Sequence, residues 1–271
     1  MLINTVNDAL DIIVLAGQSN GEGYGLGDTD TPFRPTAKIL SMHDTDNQGY
    51  LVNEKRYNHF AIKMPRDYVI GIAEERYSTT GKIGCFALRF AELYAEKYLK
   101  EGRRVLVIQA AVGSTGFAKG HWGLGEVLYE RLLDMCREAL AMNGENRIVA
   151  VLWHQGEHDA IFKPHITMEE RREWHYGNLS ALIGDFRAKF GTHPFIMGGF
   201  TDEWSARCDR YTAVLEAELR IKDELDSIGF ADSTGLSTNN QTLGNGDVFH
   251  FSRNSLGILG ERYFAEYEKL I

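Results

Sequence analysis

The chain has 271 residues, 44% of them apolar, enough for a core of ordinary size, and folds of alternating strands and helices often reach this length as one domain. One domain over residues 1–271 is expected. A net charge of −9 and the absence of any cluster of Lys and Arg argue against a nucleic-acid partner or an anionic membrane surface, both of which reward a basic face. Small-molecule partners remain.

The N-terminal stretch MLINTVNDALDIIVLAG has no basic start, and its apolar run is too short for a signal peptide or a membrane span. A cytoplasmic location is the expectation. Short β-branched runs then alternate with longer amphipathic stretches, the sign of an α/β fold with a parallel sheet covered by helices on both faces. Strands are predicted over 12–15, 38–42, 104–110, 148–153, 194–197 and 228–231, and helices over 86–99, 126–142, 174–190, 211–225 and 256–270. Between the second and third strands, residues 43–84 are polar and weakly periodic and read as a long surface excursion. Cys85, Cys136 and Cys208 are odd in number and irregularly spaced, without a C-x-x-C pair. They read as buried, reduced thiols, and neither a metal nor a cofactor is expected.

Four places carry groups suited to chemistry. Ser19 follows the first strand in AGQSNGEG, where Gly17, Ser19 and Gly21 satisfy G-x-S-x-G, a turn in which small neighbours let a hydroxyl stand exposed. Taken alone, a serine in a Gly-rich turn is more often structural. In GDVFHFS, Asp247 and His250 are three residues apart. The carboxylate could hold the imidazole Nδ1–H and leave Nε2 to take a proton from serine, although such a pair is often a surface hydrogen bond.

In VLWHQGEHDA a buried strand ends in His154, Gln155, Glu157, His158 and Asp159, at the sheet edge where ligands bind in such folds. There the Gln155 amide could serve a developing oxyanion, and Glu157 or Asp159 could bind a sugar hydroxyl, brace a loop or cap a helix. In AAVGSTGFAKGHW, Gly113 could turn its N–H to the same oxyanion. Trp122, Trp153, Tyr24 and His121 could offer flat faces to a sugar ring, or belong to the core.

At these four places the sequence resembles the SGNH hydrolase superfamily, and within it the carbohydrate esterase family 6 branch of sialate O-acetylesterase-like and acetylxylan esterase-like proteins. LAGQSN resembles the nucleophile block, AVGST the glycine block, WHQGEHDA the W-x-Q-G-E-x-D block and DVFHFS the terminal D-x-x-H block. The resemblance implies a three-layer, flavodoxin-like α/β/α sandwich and acyl transfer without metal or cofactor. It implies Ser19 as nucleophile, His250 as base and Asp247 as its orienting acid, with Glu157 second to Asp247 for that role. The oxyanion hole would be Ser19 N–H, Gly113 N–H and the Gln155 amide, and Gln18, Asn20, Trp122, Glu157 and Asp159 would bind substrate or support the site. The expected substrate is a small-molecule or oligosaccharide acetyl ester, from acetylated xylan fragments, sialic acid or a related sugar.

Gly21 stands where many relatives have Met, and His158 where a small residue is commoner, which leaves acyl and sugar preference open. Three rival readings fit the sequence less well. A lipase or thioesterase would show an apolar acyl channel, which 43–84 does not advertise. A nucleotide-binding loop would need G-x-G-x-x-G or a Walker lysine, and GEGYGLG has neither. A non-catalytic carbohydrate-binding protein would have no need of Ser19, Asp247 and His250 together. Oligomeric state leaves no mark in one sequence.

Overall fold

The structure, a computed structural model, describes residues 2–3, 6–44, 67–78, 81–163 and 165–271. Its centre is β2 (Ala9–Gly17), nine residues buried throughout. Ile12 and Val14 point into one apolar layer and Ile13 and Leu15 into the other, because successive side chains of a strand leave opposite faces. A strand apolar on both faces is stable only when both are covered.

Ordered as β1-β4-β3-β7-β2-β8-β9-β10, the sheet consists of β1 (Leu2–Ile3), β3 (Ile39–Asp44), β4 (Tyr68–Ile72), β7 (Arg103–Gln109), β8 (Arg147–His154), β9 (Phe195–Gly198), β10 (Ile228–Ala231) and β2. From β3 to β10 every neighbouring pair is parallel. The expectation of a parallel sheet is corrected at one edge, where β4 runs antiparallel to β3 and β1 pairs with β4.

Helices α2 (Phe86–Lys97) and α9 (Arg253–Glu268) bury their apolar sides on one face. On the other lie α3 (Val127–Ala141), α5 (Met168–Phe190) and α7 (Tyr211–Glu224). The three-layer α/β/α architecture expected from the sequence is therefore present.

Two sequence readings change. The helix expected from residue 174 begins at Met168, since Thr167 and Glu170 close a capping box, the Thr167 side chain accepting from the Glu170 N–H and the Glu170 carboxylate accepting from the Thr167 N–H. The reading of 43–84 as a surface excursion is also corrected. His43 and Asp44 complete β3, residues 68–72 add β4 to the sheet, and β5 (Arg76–Ser78) and β6 (Gly81–Ile83) form a small antiparallel hairpin. Residues 45–66 and 79–80 of that stretch lie outside the described residues. Of the cysteines, all free, only Cys136 is fully buried, and Cys85 and Cys208 are partly accessible. No helix among the described residues is long and apolar enough to cross a membrane.

Candidate active site

The loops leaving β7, β2 and β8 are neighbours at the carboxyl edge of the sheet, because β2 lies between the other two. Connections depart to either side of β2, and such a switch point opens a crevice there. Ser19 opens a one-turn helix, α1 (Ser19–Glu22), immediately after β2. Gly17 permits this turn: its φ is +120°, and a Cβ there would lie 2.2 Å from the His154 carbonyl oxygen of β8, so any larger residue would part the two strands. A Cβ on Gly113, in the loop after β7, would lie 3.5 Å from that of Ser19, which makes the two residues neighbours. Ser114 next to it holds a left-handed φ of 59°, a conformation that costs a non-glycine residue energy and that concentrates at functional loops.

His250 and Asp247 stand on the loop between α8 (Asn239–Leu243) and α9. His250 Nδ1 is 2.8 Å from Asp247 Oδ2, and the His250 backbone N–H also donates to Asp247 Oδ1 at 3.2 Å. Asn239 Nδ2 donates to Asp247 Oδ2 at 2.9 Å and to the Tyr24 carbonyl at 2.9 Å. Burial would push the Asp247 carboxyl up, but the bond and charge of His250, with Asn239, outweigh it and hold it below the ordinary range. The Tyr24 ring stacks on His250 with centroids 4.9 Å apart. Tyr24 thus packs against the imidazole, and Ser252 caps α9 two residues further on through the Ser255 N–H.

Asn20 links the two halves. Its Nδ2 donates to the Phe249 carbonyl at 3.0 Å, and its Oδ1 accepts from the Phe251 N–H at 3.2 Å. The residue after Ser19 therefore grips both neighbours of His250. The same Nδ2 donates to Glu157 Oε1 at 2.9 Å.

Glu157, in α4 (Glu157–Ile161), is buried, and its burial raises the carboxyl to about 8 despite the Asn20 bond. Burial pushes His154, 3.7 Å away, down to about 3. Both are then neutral at pH 7, so their approach is not a salt bridge. The tautomer of His154 follows from its neighbour: Tyr263 donates its hydroxyl hydrogen to the Trp153 carbonyl and accepts from His154 Nδ1.

The remaining expected residues divide clearly. Gln18 is buried, and its Oε1 accepts from the His158 N–H at 3.1 Å. Asp159 is buried and accepts from the Ala118 N–H at 3.0 Å and the Phe117 N–H at 3.4 Å, bracing the loop after β7. Of the two roles expected for Gln18, Asn20, Glu157 and Asp159, binding substrate or supporting the site, these bonds are those of support for the turns. Trp122 and Trp153 are fully buried, their rings 5.3 Å apart, with Trp122 Nε1 donating to Thr115 Oγ1; neither offers a sugar platform, because both complete the core. His121 is buried too, and its Nδ1 faces the Gly116 N–H at 3.4 Å.

Gly113 and Gln155, expected from the sequence to face an oxyanion, both have partners within the protein. Gly113 N–H donates to Glu22 Oε2 at 2.6 Å. The Gln155 amide is buried and faces Gln18 Oε1 at 3.4 Å and the Thr115 carbonyl at 3.5 Å, contacts at the limit of hydrogen bonding.

Sequence reasoning missed Glu22, Arg76 and Asn239. Arg76, on β5, donates to Glu22 Oε1 at 2.7 Å and to the carbonyls of Glu22 and Gly23. A cavity of about 490 Å³ opens beside this pair, lined by Glu22, Arg76, Ser41, His43, Cys85 and Gln109; Ser19 does not line it. Among the described residues no cluster of His, Cys, Asp and Glu is arranged to hold a metal ion.

An α/β/α sandwich that delivers a serine from its central strand and a histidine from the loop before its last helix has the architecture of the SGNH-type hydrolases. Within that class the chain belongs to the family described as carbohydrate esterase, sialic acid-specific acetylesterase, which matches residues 9–269. A probable 9-O-acetyl-N-acetylneuraminic acid deacetylase of Escherichia coli K12 is 22% identical over 218 residues, 70% of this chain and 64% of the relative, so less than two thirds of that protein is spanned. NanS superposes with a TM-score of 0.72 at 17% identity over 98% of both chains. A protein from Arabidopsis thaliana gives 0.69 at 20% identity, covering 97% of this chain and 98% of its own. A carbohydrate acetylesterase from Xanthomonas citri gives 0.60 at 14%, over 96% of this chain and 56% of that one. At these identities the superpositions establish the fold.

Proposed function

We propose that residues 1–271 form one esterase domain that removes O-acetyl groups from a carbohydrate by a Ser-His-Asp mechanism. The observation that carries this reading is the paired His250 and Asp247, tied to the Ser19 turn by the two bonds of Asn20 on either side of His250. Family membership supports the acetyl ester as substrate class.

In this mechanism Ser19 Oγ attacks the ester carbonyl carbon as its proton passes to His250 Nε2, and the carbonyl electron pair moves onto oxygen. Asp247 holds Nδ1–H and stabilises the imidazolium. The oxyanion is received by the Ser19 and Gly113 N–H groups and the Gln155 amide. Collapse breaks the carbon–oxygen bond to the sugar, which leaves with the proton from His250. Water, activated by the same imidazole, then releases acetate and restores Ser19. The sugar is an acetylated xylan fragment, a sialic acid or a relative.

The test is acetate release from p-nitrophenyl esters of increasing acyl length and from acetylated oligosaccharides, beside Ser19→Ala. The expected result is acetyl preferred over butyryl, with activity lost in the variant. A preference for long chains would replace this reading with a lipase or thioesterase, and silence on every ester with a binding protein.

A further inference from the structure

Glu22 occupies a position the mechanism needs. Its Oε2 accepts the Gly113 N–H at 2.6 Å, beside Ser19, while its Oε1 is held by Arg76 Nη1 at 2.7 Å. Arg76 is itself fixed by the carbonyls of Glu22 and Gly23. One N–H cannot serve a carboxylate and an oxyanion together, because two like charges would meet at the same donor. During turnover, then, Oε2 must leave the amide while Arg76 retains Oε1, and a carboxylate only 10% exposed that loses a donor is costly unless another replaces it.

We propose that Glu22 is a specificity-determining residue, selecting acetyl esters that carry a free hydroxyl on the carbon next to the esterified one. This rests on the esterase reading of Ser19. That hydroxyl enters with the ester, lies beside the forming oxyanion, and donates to Glu22 Oε2 as Gly113 is released to the oxyanion. A bond from hydroxyl to carboxylate is short and strong. A site built to receive a hydroxyl discriminates sharply against the analogue that lacks it. Polyols and sugars have such a hydroxyl, and simple aryl or alkyl acetates do not.

The experiment compares kcat/KM for 2-hydroxyethyl acetate and 2-methoxyethyl acetate in the wild type, Glu22→Ala and Glu22→Gln, with Ser19→Ala as blank. The wild type should favour the hydroxy ester by about tenfold to a hundredfold. Glu22→Ala should bring the two esters together, chiefly by raising the rate on the methoxy ester as the amide comes free. Glu22→Gln keeps the shape and the Arg76 contact without the charge, and should fall between. No preference in the wild type, or a preference unchanged in both variants, would overturn the assignment. Hydrolysis persisting in Ser19→Ala would instead overturn the esterase reading beneath it.

Discussion

Two histidines of this protein face acidic groups, His250 a single carboxylate and His175 one on each side, and their settings differ in burial. His250 and Asp247 are 22% and 26% exposed in their side chains and meet at 2.8 Å. His175, on α5, has Asp159 3.3 Å from Nδ1 and Glu218 of α7 3.6 Å from Nε2, with all three side chains at most 1% exposed. Burial would push His175 down, yet the two facing carboxylates outweigh it and raise it to about 9. The charged imidazolium is the form that these carboxylates favour. Asp159, which it faces, holds the loop after β7 through Phe117 and Ala118, so the buried cluster braces that loop. The same residue types thus meet different surroundings, one imidazole facing a single carboxylate in a partly exposed loop and the other buried between two.

The largest effect should come from breaking the exposed pair or its nucleophile. Ser19→Ala and His250→Ala should each lower kcat by about a thousandfold or more, and the double variant should lose no more than either, since triad members act as a unit. Near-normal single-turnover rates in Ser19→Ala would sink the mechanism. Asp247→Asn should lose less than either, yet still substantially, through the tautomer and orientation of His250, while Glu157→Gln should stay within about tenfold of wild type. Steady-state kcat values in the reverse order would make Glu157 the acid.

The buried cluster should answer in stability and not in chemistry. His175→Leu leaves Asp159 and Glu218 facing one another without the cation, a loss of about 3–5 kcal/mol for a broken buried ion pair, readable in urea unfolding. A variant as stable as the wild type would show that the cluster carries no net stabilisation.

Both buried acid-base groups also predict weakening in alkali. The His175 contribution is complete below its unfolded value of 6.5 and is lost as pH rises through about 9. Glu157, raised from 4.5 to about 8, contributes stability that is complete below 4.5 and lost as pH rises through about 8. Glu157→Gln should therefore flatten the fall in melting temperature between pH 5 and about 9, and an unchanged slope would contradict the raised carboxyl. The smallest expected effect is that of chelators, which should leave the rate of acetate release unaltered; a loss restored by added metal would require a different mechanism.

How far the sequence reached can be judged at particular residues. The runs around Ile12, Leu106 and Val151 read as buried strands and are so, because a strand covered on both faces is apolar along nearly all of its length. Strand β4 leaves no such run, since its own Gly71 and exposed Ile72 interrupt it one strand in from the sheet edge. The start of α5 was readable from Thr167 and Glu170, had the capping signal been weighed above apolar period.

The expectation of Ser19, Asp247 and His250 rested on four short blocks in the right order, since a serine in a turn bounded by glycines, or a carboxylate three residues before an imidazole, is common taken alone. What tertiary structure alone decided is everything that joins distant segments. Asn20 gripping Phe249 and Phe251, Arg76 reaching Glu22 from another hairpin, and Glu22 seated on Gly113 depend on loops brought together by the order of the strands. Burial likewise turned Trp122 and Trp153 from candidate sugar faces into core, since solvent exposure depends on the layers that pack above a residue and leaves no trace in its neighbours along the chain.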